Sequence, residues 1–217
     1  KIMQKNKSYS FLLFLLNPII GAYYALYDLK KNKGTAVFIW LLFCFLFGYT
    51  YIAPIDGDYF TYQGRLSIIS NLSLNQFFEY LGAQIDYLSH ILFFIFSLIS
   101  DNFFLIWGLV SLTFGYIIFK IFLNISRLTN SMTPMNPGLF KVSFVTLLSL
   151  VSLYLIYNFR FWIGANLIYL GLTYYLLGNN KKLYICLILA SLTHFSLFIV
   201  VILIIAGINY GFNIKYL

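Results

Sequence analysis

Six long apolar runs, 9–27, 35–54, 102–123, 141–158, 161–178 and 183–207, dominate the chain, and at three of the five gaps between them stand clusters of lysine and arginine rather than the alternating polar faces of a water-soluble fold. Each is about 20 residues long, the length at which a helix rising about 1.5 Å per residue crosses a hydrocarbon layer about 30 Å thick. A soluble domain carries roughly 25% charged residues, whereas this chain has 9% charged and 61% hydrophobic residues. Its mean hydropathy is +0.86. That leaves too little polar surface to cover a core in water, and disorder is excluded because it needs low hydrophobicity and high net charge. The expected fold is all-α: a polytopic membrane helix bundle of about six spanning helices in one transmembrane domain, 1–217.

The net charge of +8 sets the expected orientation. Three clusters (Lys30, Lys31 and Lys33; Lys120, Arg127 and Lys141; Lys181 and Lys182) fall at the ends of runs, and loop lysines and arginines mark the cytoplasmic side. One membrane thickness from each cluster lie Asp56, Asp58, Asp101 and Arg160, which are therefore expected on the outer side. The apolar piece 87–99 is too short to cross, and pieces of about 10–14 residues more often re-enter or lie in the interface. Segment 66–100 is expected to dip into the outer leaflet and to line a cavity open to the outside, within an outer-side region of about 55–101. Run 9–27 has lysines at both ends (Lys1, Lys5 and Lys7; Lys30, Lys31 and Lys33) and Asn17-Pro18 in its middle. It either crosses against the charge rule or bends back. A start at Lys1 and an end about ten residues after the last run read as a partial chain.

Several function classes drop out. Nucleic-acid binding needs a basic face with accessible aromatics, and here the aromatics are interleaved with Leu and Ile inside the runs. Cys44 and Cys186 sit in apolar runs without a CxxC pair and read as small buried hydrophobes. There is no HExxH, Gly-rich phosphate loop or GxSxG. No metal or nucleotide cofactor is expected.

Polar groups at membrane depth carry the remaining information, because each is costly unless paired or wet. Arg160, in Asn158-Phe159-Arg160-Phe161-Trp162, reads either as an anion clamp or as an interfacial anchor beside Trp162. His194, in Thr193-His194-Phe195-Ser196, lies twelve residues past Lys182 and reads as a proton acceptor, a phosphate donor or a packing residue. His90 reads more readily as packing. Asp56, Asp58, Tyr59, Tyr62 and Arg65, all within ten residues, resemble a polar-ligand site at the outer mouth, since sugars are often held by carboxylates and aromatics. Glu79 and Asp86 read as solvated or interfacial.

These pieces together resemble a known family. NPIIGAYYALYDLKKNKG, IDGDYFTY and FRFWIGANLIYLGLTYYLLGNNKKLYICLILASLTHFSL are similar to the Wzy-type bacterial surface-polysaccharide polymerases (O-antigen, capsule and exopolysaccharide), and most of all to their EpsG-like branch. Asp58 and Tyr62 match an Asp-x-x-x-Tyr element; Arg160, Gly164 and Ala165 match an arginine opening a Gly/Ala-containing helix. Lys181, Lys182, Ala190, His194 and Ser196 match a basic turn followed by Ala…His-x-Ser. Where the family usually carries Gln after the arginine, this chain has Phe161.

The resemblance covers about 10–205. It implies a GT-C-like, metal-independent glycosyltransferase in the bacterial inner membrane. That enzyme would polymerise undecaprenyl-diphosphate-linked oligosaccharide repeat units at the periplasmic face, with membrane lipids, a flippase and a chain-length regulator as partners. Arg160, His194 and Asp58 are the implied catalytic residues; Arg65, Tyr62, Asp56 and Tyr59 are the implied substrate-binding ones. A lipid-linked-glycan flippase, an O-antigen-ligase-type transferase and a non-catalytic assembly subunit are the rival readings.

Overall fold

A computed structural model describes residues 7–27, 33–51, 58–132 and 158–210, and among these there is no strand. The helices are α1 (Lys7–Leu16), α2 (Pro18–Tyr27), α3 (Lys33–Thr50), α4 (Asp58–Ile69), α5 (Leu74–Gly82), α6 (Tyr87–Ser97), α7 (Phe103–Met132), α8 (Phe159–Leu176), α9 (Asn180–Thr193) and α10 (Leu197–Asn209). They fall into two compact units, one holding α1–α3 and α7, the other α4–α6 and α8–α10.

In the first unit, α3 and the Phe103–Leu128 part of α7 are the two described helices long and apolar enough to cross a membrane, with mean hydropathies of 1.5 and 1.9. They pack closely because small residues face each other. A Cβ on Gly48 would collide with Ser111 and the Trp107 carbonyl, and one on Gly115 would collide with Cys44. Between apolar helices in an apolar solvent, such close approach supplies the van der Waals contact that a hydrophobic drive cannot. The Trp40 indole N–H donates to the Gly115 carbonyl at 2.9 Å across the same seam. Run 9–27 is not one helix. Pro18 brings no N–H, and the Asn17 side-chain oxygen accepts from the Ile19 and Ile20 amides, each at 3.1 Å, ending α1 and starting α2.

In the second unit, α5 opens with a capping box: the Ser73 hydroxyl accepts from the Gln76 amide while the Gln76 side chain accepts from the Ser73 amide. Helix α8 closes at Gly178, whose φ of +78° places it in the left-handed region open to glycine. The Gly178 and Asn179 amides donate back to Tyr175 and Tyr174, the pairing of a Schellman motif. The Asn179 side chain then caps α9 at the Lys182 amide. Basic residues Lys181 and Lys182 thus sit at the α8–α9 turn.

The expectation of six spans is met only in part. Runs 35–54 and 102–123 become α3 and α7. Run 161–178 becomes the 18-residue α8, which Arg160, Asn166 and Thr173 leave less apolar than those two. Run 183–207 is broken at His194, where the backbone turns extended (φ −150°, ψ 120°), separating α9 from α10. Run 141–158 lies outside the described residues but for its last residue. The piece 87–99 forms the 11-residue α6.

Candidate functional site

Helix α4 places Tyr62 and Arg65 three residues apart on one face, and Asp86, the N-cap residue of α6, stands four residues before His90 in its first turn. Helices α4 and α6 pack together in the second unit. Tyr62, Phe93 and Phe159 form a fully buried aromatic cluster there, with ring centroids 4.8 to 5.8 Å apart. This cluster fixes the first turn of α8 against α4 and α6.

Arg160 emerges from that first turn. Its Nε donates to the Tyr62 hydroxyl at 2.7 Å, and its Nη1 donates to Asp86 Oδ2 at 2.7 Å. The pair is largely shielded, with 17% of the arginine side chain and 11% of the aspartate side chain exposed. A cation at a helix N-terminus opposes the helix dipole, so the Asp86 carboxylate offsets both the guanidinium and the α8 terminus. Asp86 stands at the N-cap position of α6 yet makes no side-chain cap there. Its other oxygen, Oδ1, instead accepts from the Phe195 amide at 3.0 Å, inside the α9–α10 break. One carboxylate therefore ties Arg160 to the backbone next to His194.

His194 is held locally. Its Nδ1 lies 2.8 Å from the Ser196 hydroxyl and accepts from the Ser196 amide at 3.3 Å. Its ring meets Phe161 edge-on at 5.8 Å. The residue standing in the place of the resembled family's glutamine thus contributes a packing surface for the histidine.

The structure brings Arg160 and Tyr62 into direct contact and sets His194 beside the backbone amide that Asp86 holds. Arg65 is half-buried, and among the described residues it pairs with no carboxylate. Its positive charge acts on Tyr80 and His90. Asp58 and Tyr59 open α4, their side chains outside the described residues, and Asp56 lies outside them altogether. Of the two readings of Asp86, solvated or interfacial, the first is corrected: the residue is buried and central to the cluster. His90 is buried too, and among the described residues its Nδ1 has no hydrogen-bond partner. Helix α6 is too short to span, at about 16 Å for its rise per residue. Burial, followed by the positive charges of Arg65 and Arg160, pushes the His90 imidazole down to about 4, against the opposing effect of Asp86. Both cysteines are buried and free.

Among the described residues, Arg65 and Arg160 share the second unit with the Asp86 carboxylate, the Tyr62 hydroxyl and the imidazoles of His90 and His194. No family model matches the chain, and neither do curated proteins or solved structures.

Proposed function

We propose that the chain is a multi-pass membrane glycosyltransferase of the Wzy type, EpsG-like branch, in the bacterial inner membrane. It joins undecaprenyl-diphosphate-linked repeat units into a surface polysaccharide at the outer face. The observation that carries this reading is the part-buried Arg160, held by Tyr62 and Asp86 beside the backbone of His194. In the reaction, the acceptor hydroxyl oxygen bonds to the anomeric carbon of the donor as the bond to the lipid diphosphate breaks. Arg65, which pairs with no carboxylate among the described residues, and Arg160, which shares its guanidinium between Asp86 and the substrate, meet the charge that develops on the leaving diphosphate. His194 or Asp58 takes the acceptor proton. A diphosphate leaves readily, so no strong acid is required of the protein.

The test is the purified chain in lipid nanodiscs with undecaprenyl-diphosphate-linked repeat units. The expected product is a ladder of longer lipid-linked glycans, lost in Arg160→Ala while the protein stays in the membrane. A full ladder from Arg160→Ala overturns the role of Arg160. Transfer only to a different acceptor supports a ligase instead. The α9–α10 interruption favours a second reading, a lipid-linked-glycan flippase, since transporters bind substrate at discontinuous helices. Movement of the substrate across the bilayer without covalent change would select it.

A further inference from the structure

Helices α1 and α2 are ten residues each, about 15 Å long and half a hydrocarbon layer. They fold back on each other. A Cβ on Gly21 would collide with the backbone of Phe14, whereas residues seven apart in one straight helix lie about 10 Å from each other along the axis. The turn between them is built in, from Pro18 and the Asn17 side chain that accepts from the Ile19 and Ile20 amides. The inner faces are packed, with Phe14, Ala22, Ala25 and Leu26 buried, while exposure peaks at the turn: Leu15 67%, Leu16 77%, Ile19 66% and Ile20 54%. A water-soluble surface avoids so concentrated an apolar tip. The lysines lie at both open ends in the sequence, Lys1 and Lys5 before α1 with Lys7 at its first position, and Lys30, Lys31 and Lys33 after α2.

We propose that α1 and α2 form a hairpin that enters the cytoplasmic leaflet, embeds its Leu15–Ile20 tip among the acyl chains near the bilayer midplane, and returns to the same face. The occupant of the exposed tip is lipid. The arm length matches one leaflet, and the flanking lysines match the anionic headgroups of the cytoplasmic side. The hairpin also settles the charge conflict of run 9–27, because both lysine groups then lie on the side the positive-inside rule assigns them. This inference rests on the membrane reading of the chain but not on its polymerase activity.

Cysteine mapping tests it, using the full chain expressed in bacteria with Cys44→Ala and Cys186→Ala. Single cysteines are introduced as Lys5→Cys, Leu16→Cys, Gly34→Cys and Thr50→Cys; a Cβ at Gly34 meets nothing within 4 Å. The probe is a membrane-impermeant maleimide applied to right-side-out and inside-out vesicles. Positions 5 and 34 are expected to label from the cytoplasmic side alone, position 50 from the opposite side, and position 16 from neither. A fluorophore at position 16 is expected to be quenched by brominated phospholipid. Labelling of positions 5 and 34 from opposite sides overturns the hairpin in favour of a span. Labelling of position 16 in intact vesicles, or an unquenched fluorophore there, overturns the lipid occupant in favour of water, a protein partner or a second copy. Release of the whole chain by alkaline carbonate overturns the membrane reading itself, an outcome separate from a failed hairpin in a chain that stays embedded.

Discussion

Helices α3 and α7 meet through Gly48, Gly108 and Gly115, where the neighbouring side chain or carbonyl comes close enough to leave no room for a Cβ. Helices α6 and α8 are tied instead by a charged pair, with Asp86 on one and Arg160 on the other. The first contact is non-directional and depends on volume. The second is directional and depends on charge, and its carboxylate also reaches the α9–α10 break through the Phe195 amide. A seam of the first kind can hold a scaffold but offers a ligand no polar group beyond a hydroxyl or an indole. The second places charged groups in a shielded setting at a stability cost that apolar packing would avoid. That contrast is the physical reason for looking for chemistry in the second unit.

The comparison breaks most sharply at Asp86. Asp86→Ala removes the carboxylate to which Arg160 Nη1 donates and the acceptor of the Phe195 amide. The expected loss is about 3 kcal/mol, the low end for a broken buried pair because part of each side chain stays exposed. Asp86→Asn, which keeps an acceptor for the amide, is expected to lose less. Replacing the pair together, as Asp86→Leu with Arg160→Leu, is expected to recover part of the loss. Thermal unfolding in detergent measures all three, and a double variant no more stable than Asp86→Ala would show that the two charges are not coupled.

In the first unit, the corresponding disruption is steric. Gly115→Val drives a side chain into Cys44 and is expected to cost about 2 kcal/mol by overpacking. Removing the obstacle with Cys44→Gly is expected to return part of this. Recovery by volume alone, with no charge involved, would confirm that this seam is of the packing kind; a Gly115→Val chain as stable as the parent would mean that α3 and α7 are not so closely packed.

Different physics also explains what the sequence revealed. Apolar length is local, so α3 and α7 were legible as long runs, and so was the basic turn at Lys181 and Lys182. Arg160 stood out as a charge where charge is costly, and Tyr62 stood out by the company of Asp58 and Arg65. Asp86 did not, because an aspartate just before an apolar helix is an ordinary N-cap. Its partners lie 74 and 109 residues away in the chain. The break at His194 was hidden for the same reason. Run 183–207 contains no proline, its glycine comes only near the far end, and the freed Phe195 amide is satisfied by that distant carboxylate. The six-span expectation treated every run as equal. Asn17-Pro18 and His194-Phe195-Ser196 each divide one of them.

A milder probe separates the hydroxyl from the aromatic ring within the charged cluster. Tyr62→Phe keeps the edge-on contact with Phe159 but removes the acceptor for Arg160 Nε. A hydrogen bond to a charged group contributes about 1.5 kcal/mol at the low end of its range, and a loss of that size in detergent unfolding is expected. A much larger loss would mean that the hydroxyl also fixes the Arg160–Asp86 geometry.

The smallest effect near neutral pH comes from His90, and its sign follows from burial. The folded imidazole titrates near 4, below the ordinary value of about 6.5 that it recovers on unfolding. Between those values the unfolded chain binds the proton and the folded chain does not, so stability falls as pH drops from about 6.5 toward 4 and is unaffected by this group above that window. The groups facing the ring reinforce one another unequally: Arg65 from α4 and Arg160 from α8 disfavour the imidazolium, Asp86 on its own helix favours it, and Tyr80 of α5 meets it edge-on at 5.5 Å. His90→Leu removes both the titrating group and a buried nitrogen that has no partner among the described residues. At pH 7 the variant is expected to be as stable as the parent or slightly more so, and between pH 6.5 and 4 its melting temperature is expected to fall less steeply. Parallel pH profiles for the two proteins would show that His90 titrates normally, and that the positive field of Arg65 and Arg160 does not reach it.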